Sequence, residues 1–162
     1  MKKRITLILP LLALSVVYAQ TVISYKIKNQ FNSEERSQIL NVIRNKFQSE
    51  LIRSYNYKKK ISFVVTQLNV SQDYAWFYGY IVDEKGNLLP VLDTPSEGYE
   101  LPWNSEGQAL LKKKNKKWTV LESVIFSTIV WWEDLKVKYS DIPCKIFGVA
   151  PPVKGCPDYD LR

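Results

Sequence analysis

Four aromatic residues occupy every second position of one short segment, as Tyr74, Trp76, Tyr78 and Tyr80. Because alternate side chains of a β-strand point to the same side, this spacing predicts one aromatic sheet face. Tyrosine and tryptophan combine a large apolar ring with a polar tip, which suits stacking on sugars or anchoring a protein partner. The simpler interpretation is sheet packing beneath the long loop that follows. We add Trp103, from that loop, to the candidate binding residues.

Catalytic chemistry has few candidates in this sequence. The chain contains no histidine, which excludes a Ser-His-Asp triad, a Cys-His pair and a histidine metal site. Its six glycines lack the spacing of a phosphate-binding loop. Carboxylates can act as acid and base, and the candidates are Asp73, Glu122, Glu133 and Asp134. Each also fits a solvated charge on a strand end or a helix surface, so we predict no catalytic residue, no cofactor and no metal.

A dense group of lysines occupies the tip of a predicted hairpin. Its members are Lys112, Lys113, Lys114, Lys116 and Lys117. Such a basic loop would attract an acidic partner or an anionic envelope surface. The alternative is a solubilising loop that keeps other sheets from pairing with the hairpin.

The first residues predict export from the cytoplasm. Cations at 2–4 precede an almost wholly apolar run at 5–17, and Ala19 supplies a small residue before the predicted cleavage. This order is typical of a secretory signal peptide, and the run is shorter than the roughly 20 residues of a membrane span. We therefore expect a signal peptide, 1–19, and a single periplasmic or secreted domain, 20–162, without a transmembrane segment.

Composition and cysteine content fit that compartment. The apolar fraction of 46% indicates a globular domain. The formal charge of +7 falls to about +4 without the signal, which is too small to predict nucleic acid as a partner. Cys144 and Cys156 are the only cysteines and predict a disulfide in an oxidising compartment, with two free thiols as the alternative. Closing this short loop would stabilise the fold by on the order of 3 kcal/mol.

Hydrophobic spacing predicts the elements that position these residues. Asn32 and Glu35 form a box-like helix start, and an apolar helical face follows, made of Ile39, Ile43, Phe47 and Leu51. Next come two hairpins, 61–70 with 73–82 and 108–112 with 118–127, joined by a long irregular connection. A short strand or arm at 21–27 and a short helix at 132–139 complete the pattern. The adjacent Trp131 and Trp132 would place one ring inside and one outside, with core packing as the simpler interpretation.

This order resembles the cystatin-like and nuclear-transport-factor-2-like class, in which a sheet wraps a helix. Over 61–147 the chain also resembles a group of small exported bacterial proteins of largely unknown function. The matching residues are Ala109-Leu110-Leu111-Lys112, Lys117-Trp118-Thr119-Val120, Trp132 and the Ile142-Pro143 to Ile146-Phe147 ending. The resemblance implies an α+β fold, with an N-terminal amphipathic helix packed on a curved antiparallel sheet of two successive hairpins. The residues themselves add the short C-terminal helix and the disulfide-closed tail. It implies an exported location and no site residues.

We expect an exported, non-enzymatic domain that binds a protein or a cell-envelope component. Two alternatives stay open. One is a small-molecule pocket inside the cone of the sheet, with isomerase- or hydrolase-like activity, and a cone filled by Phe47, Leu51 and Phe77 would count against it. The other is a structural module that forms a homodimer through the aromatic face.

Overall fold

The computed structural model describes residues 22–29, 32–89, 105–127, 130–148 and 153–156. Within these ranges the protein is α+β, with one long helix and a five-stranded antiparallel sheet. The predicted signal peptide and Trp103 lie outside the described residues. In the described part of the chain, neither helix combines the length and the apolar composition that a membrane span needs.

The strands follow one another across the sheet in chain order. Their bounds are Ile23–Ser24 (β1), Ser62–Ser71 (β2), Tyr74–Val82 (β3), Glu106–Lys114 (β4) and Lys117–Ile125 (β5). The long helix α1, Ser33–Tyr55, connects β1 to β2. Both predicted hairpins are present, since β2 pairs with β3 and β4 pairs with β5.

Among the described residues of the C-terminal part of the chain, the helical elements are short turns. The helix predicted at 132–139 is a single turn, α2, Leu135–Lys138, followed by a 3-10 turn at Cys144–Phe147. The helix is shorter than predicted because the preceding residues form a turn in which Trp131 and Trp132 both contact Trp76 of β3.

The start of α1 differs from the predicted capping box. Asn32 occupies the N-cap position without a side-chain cap bond. Its Oδ1 accepts a hydrogen bond from the Asn29 backbone N–H at 2.9 Å, and its Nδ2 donates to the Ile27 carbonyl at 2.9 Å. The Asn32 side chain therefore ties the incoming chain to the helix start. The predicted box is wrong because Asn32 bonds the chain before the helix, and Glu35 accepts hydrogen bonds from Tyr25 and Lys113.

α1 packs on one face of the sheet, which we call the inner face. The buried residues of the helix are Ile39, Leu40, Ile43, Phe47 and Leu51. On β3 the inner face carries Ala75, Phe77 and Ile81, which belong to the same core as the helix residues. Successive side chains of β3 therefore point to opposite faces of the sheet, as the strand period requires.

Aromatic rings fill the space between α1 and the sheet. Phe47, Phe63 and Phe77 make mutual edge contacts, with ring centroids 5.1–6.2 Å apart. Gly107 of β4 lies against Phe47, and a Cβ at this position would come within 2.4 Å of the Phe47 ring. This close approach explains why β4 has a glycine there. The filled interior counts against a ligand pocket between helix and sheet.

We predict that Gly107→Ala lowers the free energy of unfolding by about 1–3 kcal/mol, because the added methyl group overpacks this contact. Urea unfolding followed by circular dichroism measures the loss. In a Phe47→Leu background the additional cost of Gly107→Ala should shrink, since the smaller side chain vacates the space. An equal cost in both backgrounds would contradict the proposed steric cause.

Candidate functional site

The second face of the sheet, which we call the outer face, carries the aromatic residues predicted to share one side. Tyr74, Trp76, Tyr78 and Tyr80 alternate along β3 with the inner-face residues. In the strand register Gln67 of β2 and Gln108 of β4 lie opposite Tyr78, and Glu106 of β4 lies opposite Tyr80. The outer face therefore combines aromatic rings with polar side chains.

The chain itself covers one half of the outer face. Tyr74 and Trp76 are only 3% and 2% exposed. The cover is the C-terminal segment, by which we mean the described residues of 130–148 and 153–156. Trp76 contacts the rings of Trp131, Trp132 and Phe147 at centroid distances of 5.9, 6.1 and 5.2 Å. These two predicted binding residues thus belong to a second core, where a partner cannot reach them.

Polar side chains of β2 hold the 3-10 turn of the C-terminal segment in place. The buried Asn69 donates its Nδ2–H to the Ile146 carbonyl at 2.8 Å, and Gln67 donates to the Phe147 carbonyl at 3.3 Å. Gly148 follows with φ of 67°, where a Cβ would lie 1.9 Å from the Gln67 amide nitrogen. The glycine therefore permits both the backbone conformation and the close approach to β2.

Hydrogen bonds and ion pairs attach the rest of the C-terminal segment to the sheet. Tyr74 donates its hydroxyl proton to Asp141 Oδ1 at 2.6 Å, and Lys112 donates to Asp141 Oδ2 at 2.8 Å. The hydrogen bond from Lys112, followed by the one from Tyr74, lowers the pKa of Asp141 below its ordinary value. Glu122 of β5 accepts hydrogen bonds from Lys138 and Tyr139, and chiefly the Lys138 bond lowers the pKa of Glu122.

The predicted disulfide between Cys144 and Cys156 is confirmed, with the two Cα atoms 5.5 Å apart. It joins the 3-10 turn to the end of the described chain. Val153, three residues before Cys156, is buried in the same outer-face cluster as Trp76. The disulfide therefore closes the C-terminal segment over the sheet.

The structure divides the five lysines of the predicted basic loop. Lys112 bonds Asp141 on the outer face, while Lys113 donates to Glu35 of α1 at 2.5 Å. Burial tends to raise the pKa of Glu35, but hydrogen bonds from Lys113 and Tyr25 outweigh it and lower that pKa. The other members, Lys114, Lys116 and Lys117, are exposed around the β4–β5 turn. Two of the five lysines thus secure neighbouring elements, and three form the exposed tip.

The four candidate catalytic carboxylates have structural surroundings, and only Glu133 and Asp134 are neighbours, since both pair with Lys154. Asp73 is exposed in the β2–β3 turn, where its carbonyl accepts the Lys113 backbone N–H at 2.6 Å. Glu122 holds α2, while Glu133 and Asp134 pair with Lys154 at 3.4 and 3.1 Å. Among the described residues, no group of three or more cysteine or acidic side chains could hold a metal ion.

The other half of the outer face remains accessible. Tyr78 and Tyr80 are half-buried, with ring centroids 6.4 Å apart. Val64, opposite Tyr80 on β2, is 52% exposed. We call Val64, Tyr78, Tyr80, Glu106 and the half-buried Trp131 the aromatic patch.

Hydrogen bonds fix two side chains of the aromatic patch. Tyr78 donates to Glu106 Oε1 at 2.8 Å, and Trp131 donates its indole N–H to Gln108 Oε1 at 2.6 Å. Burial, and then the bond to Glu106, raise the pKa of Tyr78 well above its ordinary value. Tyr78 therefore remains a protonated donor to Glu106 at neutral pH.

Phe126, directly after β5, has an unusual backbone conformation. Its φ is 58°, a left-handed conformation that is unfavourable for a bulky residue. The Phe126 ring packs against Tyr55 of α1 at 5.6 Å, while its backbone N–H bonds the Glu106 carbonyl at 2.8 Å. A few residues later, Trp131 lies on the outer face. Since Phe126 is not a glycine, the sequence did not predict a left-handed conformation there.

No protein-family model, curated protein or solved structure matches the chain. The candidate site therefore rests on the geometry of this chain. For Trp131 sequence reasoning favoured core packing, and the ring does contact Trp76 of the second core. Sequence reasoning included Tyr78 and Tyr80 but missed Val64 and Glu106. Their contribution depends on strand register, which the alternation within a single strand does not give.

We predict that acid weakens the attachment of the C-terminal segment. Because the folded-state pKa values of Asp141 and Glu122 are lowered, their stabilisation is present above the unfolded values of about 4 and is lost as pH falls through the folded values. Urea unfolding followed by tryptophan fluorescence, between about pH 6 and pH 3, measures this loss. Asp141→Asn with Glu122→Gln should reduce the pH dependence, whereas the exposed-turn control Glu84→Gln should not. An unchanged pH dependence in the double variant would exclude these two carboxylates as its source.

Proposed function

We propose that the protein is an exported binding domain, without enzymatic activity, which recognises a protein or a cell-envelope component through the aromatic patch. The observation that carries this proposal is the division of one strand face. The chain buries Tyr74 and Trp76 under its own C-terminal segment but leaves Tyr78 and Tyr80 partly exposed. Half-exposed aromatic side chains on a rigid sheet suit recognition.

The arrangement of the patch favours binding at a low entropic cost. Tyr78 and Trp131 are already held by hydrogen bonds to Glu106 and Gln108. Fewer rotamers are therefore lost when a partner binds, and less of the interaction energy is spent on ordering side chains. The exposed Val64 adds apolar surface beside the rings.

Two observations make the small-molecule enzyme a weaker proposal. Phe47, Leu51 and Phe77 are fully buried in the interior between α1 and the sheet, where a conical pocket would lie. Of the carboxylates considered for acid and base chemistry, Glu122, Glu133 and Asp134 have lysine partners.

The proposed class and compartment have separate support. A helix between the first and second strands of an antiparallel sheet, with the strands in chain order, supports the cystatin-like or nuclear-transport-factor-2-like class. The charge and hydrophobicity of 1–19 support a signal peptide. A disulfide supports a final location in the oxidising periplasm or outside the cell.

The test is capture of partners from an envelope extract by immobilised protein, residues 20–162, with the disulfide formed. We predict that Tyr80→Ala, alone or with Val64→Lys, lowers retention of a stoichiometric partner by about tenfold or more, as expected at a binding hot spot. Val137→Lys is the matched control, because Val137 is also an exposed valine, at 65%, but lies on α2 outside the patch.

Circular dichroism and thermal unfolding should confirm that each variant is folded. Trp76→Ala is unsuitable, since emptying its site in the second core would cost about 3–5 kcal/mol and loosen the C-terminal segment.

Retention that is equal in wild type and in the folded patch variants would refute the proposed surface. Capture of only the protein itself, with a concentration-dependent dimer in sedimentation, would replace the proposal with the homodimeric module.

A further inference from the structure

We propose that the aromatic patch binds an arginine side chain of a partner protein, an inference that rests on the proposed function. Glu106 provides the charge for this interaction. It accepts a hydrogen bond from the neutral Tyr78, and within the described ranges it has no cationic partner. In contrast, five other carboxylates of the described chain have a lysine partner, namely Glu35, Glu122, Glu133, Asp134 and Asp141.

The covered end of the same strand face shows how such a site holds a cation. There the Lys112 ammonium lies 4.7 Å from the centroid of the Tyr74 ring and donates to Asp141 Oδ2 at 2.8 Å. The open end has the same two components, tyrosine rings and a carboxylate hydrogen-bonded to a tyrosine hydroxyl. The third component, a cation, is missing there, because no lysine or arginine of the described chain pairs with Glu106.

The chemistry of the open end favours a guanidinium over an ammonium. Tyr78 occupies Glu106 Oε1, and among the described residues no donor bonds Oε2, which can therefore accept a second donor. Tyr80 lies directly opposite Glu106 in the strand register, and its ring offers a negative face beside the carboxylate. A planar guanidinium can stack on that ring while it donates to the carboxylate, whereas an ammonium acts as a point charge.

A protein segment fits the patch better than a free small cation. The half-buried Trp131 and the exposed Val64 extend the site beyond its charged centre. These apolar side chains can contact the methylene stem of an arginine and the residues that flank it. The occupant we propose is therefore an arginine within an exposed segment of the partner.

The test uses short blocked peptides and the oxidised protein, observed by ¹H–¹⁵N NMR, which detects weak binding. We expect a peptide with a central arginine to shift the amides of Tyr78, Tyr80 and Glu106 and the indole N–H of Trp131. The same peptide with neutral citrulline should bind at least about tenfold more weakly, and a lysine peptide should fall between the two. The affinity of the arginine peptide should decrease with salt.

Glu106→Gln is the decisive variant, because its amide oxygen can still accept the Tyr78 proton while the charge is removed. We expect it to weaken arginine-peptide binding by about tenfold. Glu84→Gln, in the exposed turn after β3, is the matched control and should leave the affinity unchanged. Equal binding of arginine and citrulline peptides, or shifts confined to residues outside the patch, would overturn the inference. Tetramethylammonium binding as tightly as the arginine peptide would also overturn it.

The two proposals can fail separately. Partner capture that is lost with Tyr80→Ala but retained with Glu106→Gln would overturn the arginine inference and leave the binding surface standing. Capture insensitive to both variants would overturn the proposed function, whereas loss of capture in both variants supports both proposals.

Discussion

Neither face of β3 is polar, so each must be covered by another part of the chain or bind a partner. The rest of the fold follows from this constraint. The inner face meets α1, and small or closely packed positions such as Ala75 and Gly107 let the two layers approach. The outer face needs a second cover, because leaving Trp76 in water would forgo the burial of a large apolar surface. The C-terminal segment provides that cover and creates a second core on the opposite side of the sheet.

A chain segment without long helices or strands needs many individual attachments to remain on a sheet. The segment uses hydrogen bonds from Asn69 and Gln67, ion pairs to Lys112 and Glu122, and the disulfide. The part of the outer face that the segment covers extends as far as Trp131. Beyond it, β3 carries Tyr78 and Tyr80. The aromatic patch is thus the portion of the outer face that the chain leaves half-exposed, with Glu106 beside it.

Local patterns predicted the features that depend on neighbouring residues. The two hairpins and the disulfide follow from alternation and from cysteine content in an oxidising setting. The opposite roles of Lys112 and Lys113 could also have been predicted, since adjacent strand residues point to opposite faces. The contacts of Trp76 with Phe147 and of Tyr74 with Asp141 join residues distant in sequence. No local period contains them, so the sequence did not predict that the C-terminal segment covers the outer face.

The division of the β3 outer face into a buried half and an accessible half is the central claim, and hydroxyl-radical footprinting of the oxidised protein tests it most directly. Comparing residues of one type removes differences in intrinsic reactivity, so Trp76 is compared with Trp131 and Tyr74 with Tyr78. The structure predicts that Trp131 and Tyr78 are oxidised several-fold faster than Trp76 and Tyr74. Oxidation of Trp76 and Tyr74 at the rates of Trp131 and Tyr78 would show that the C-terminal segment does not cover the sheet, and would contradict the account.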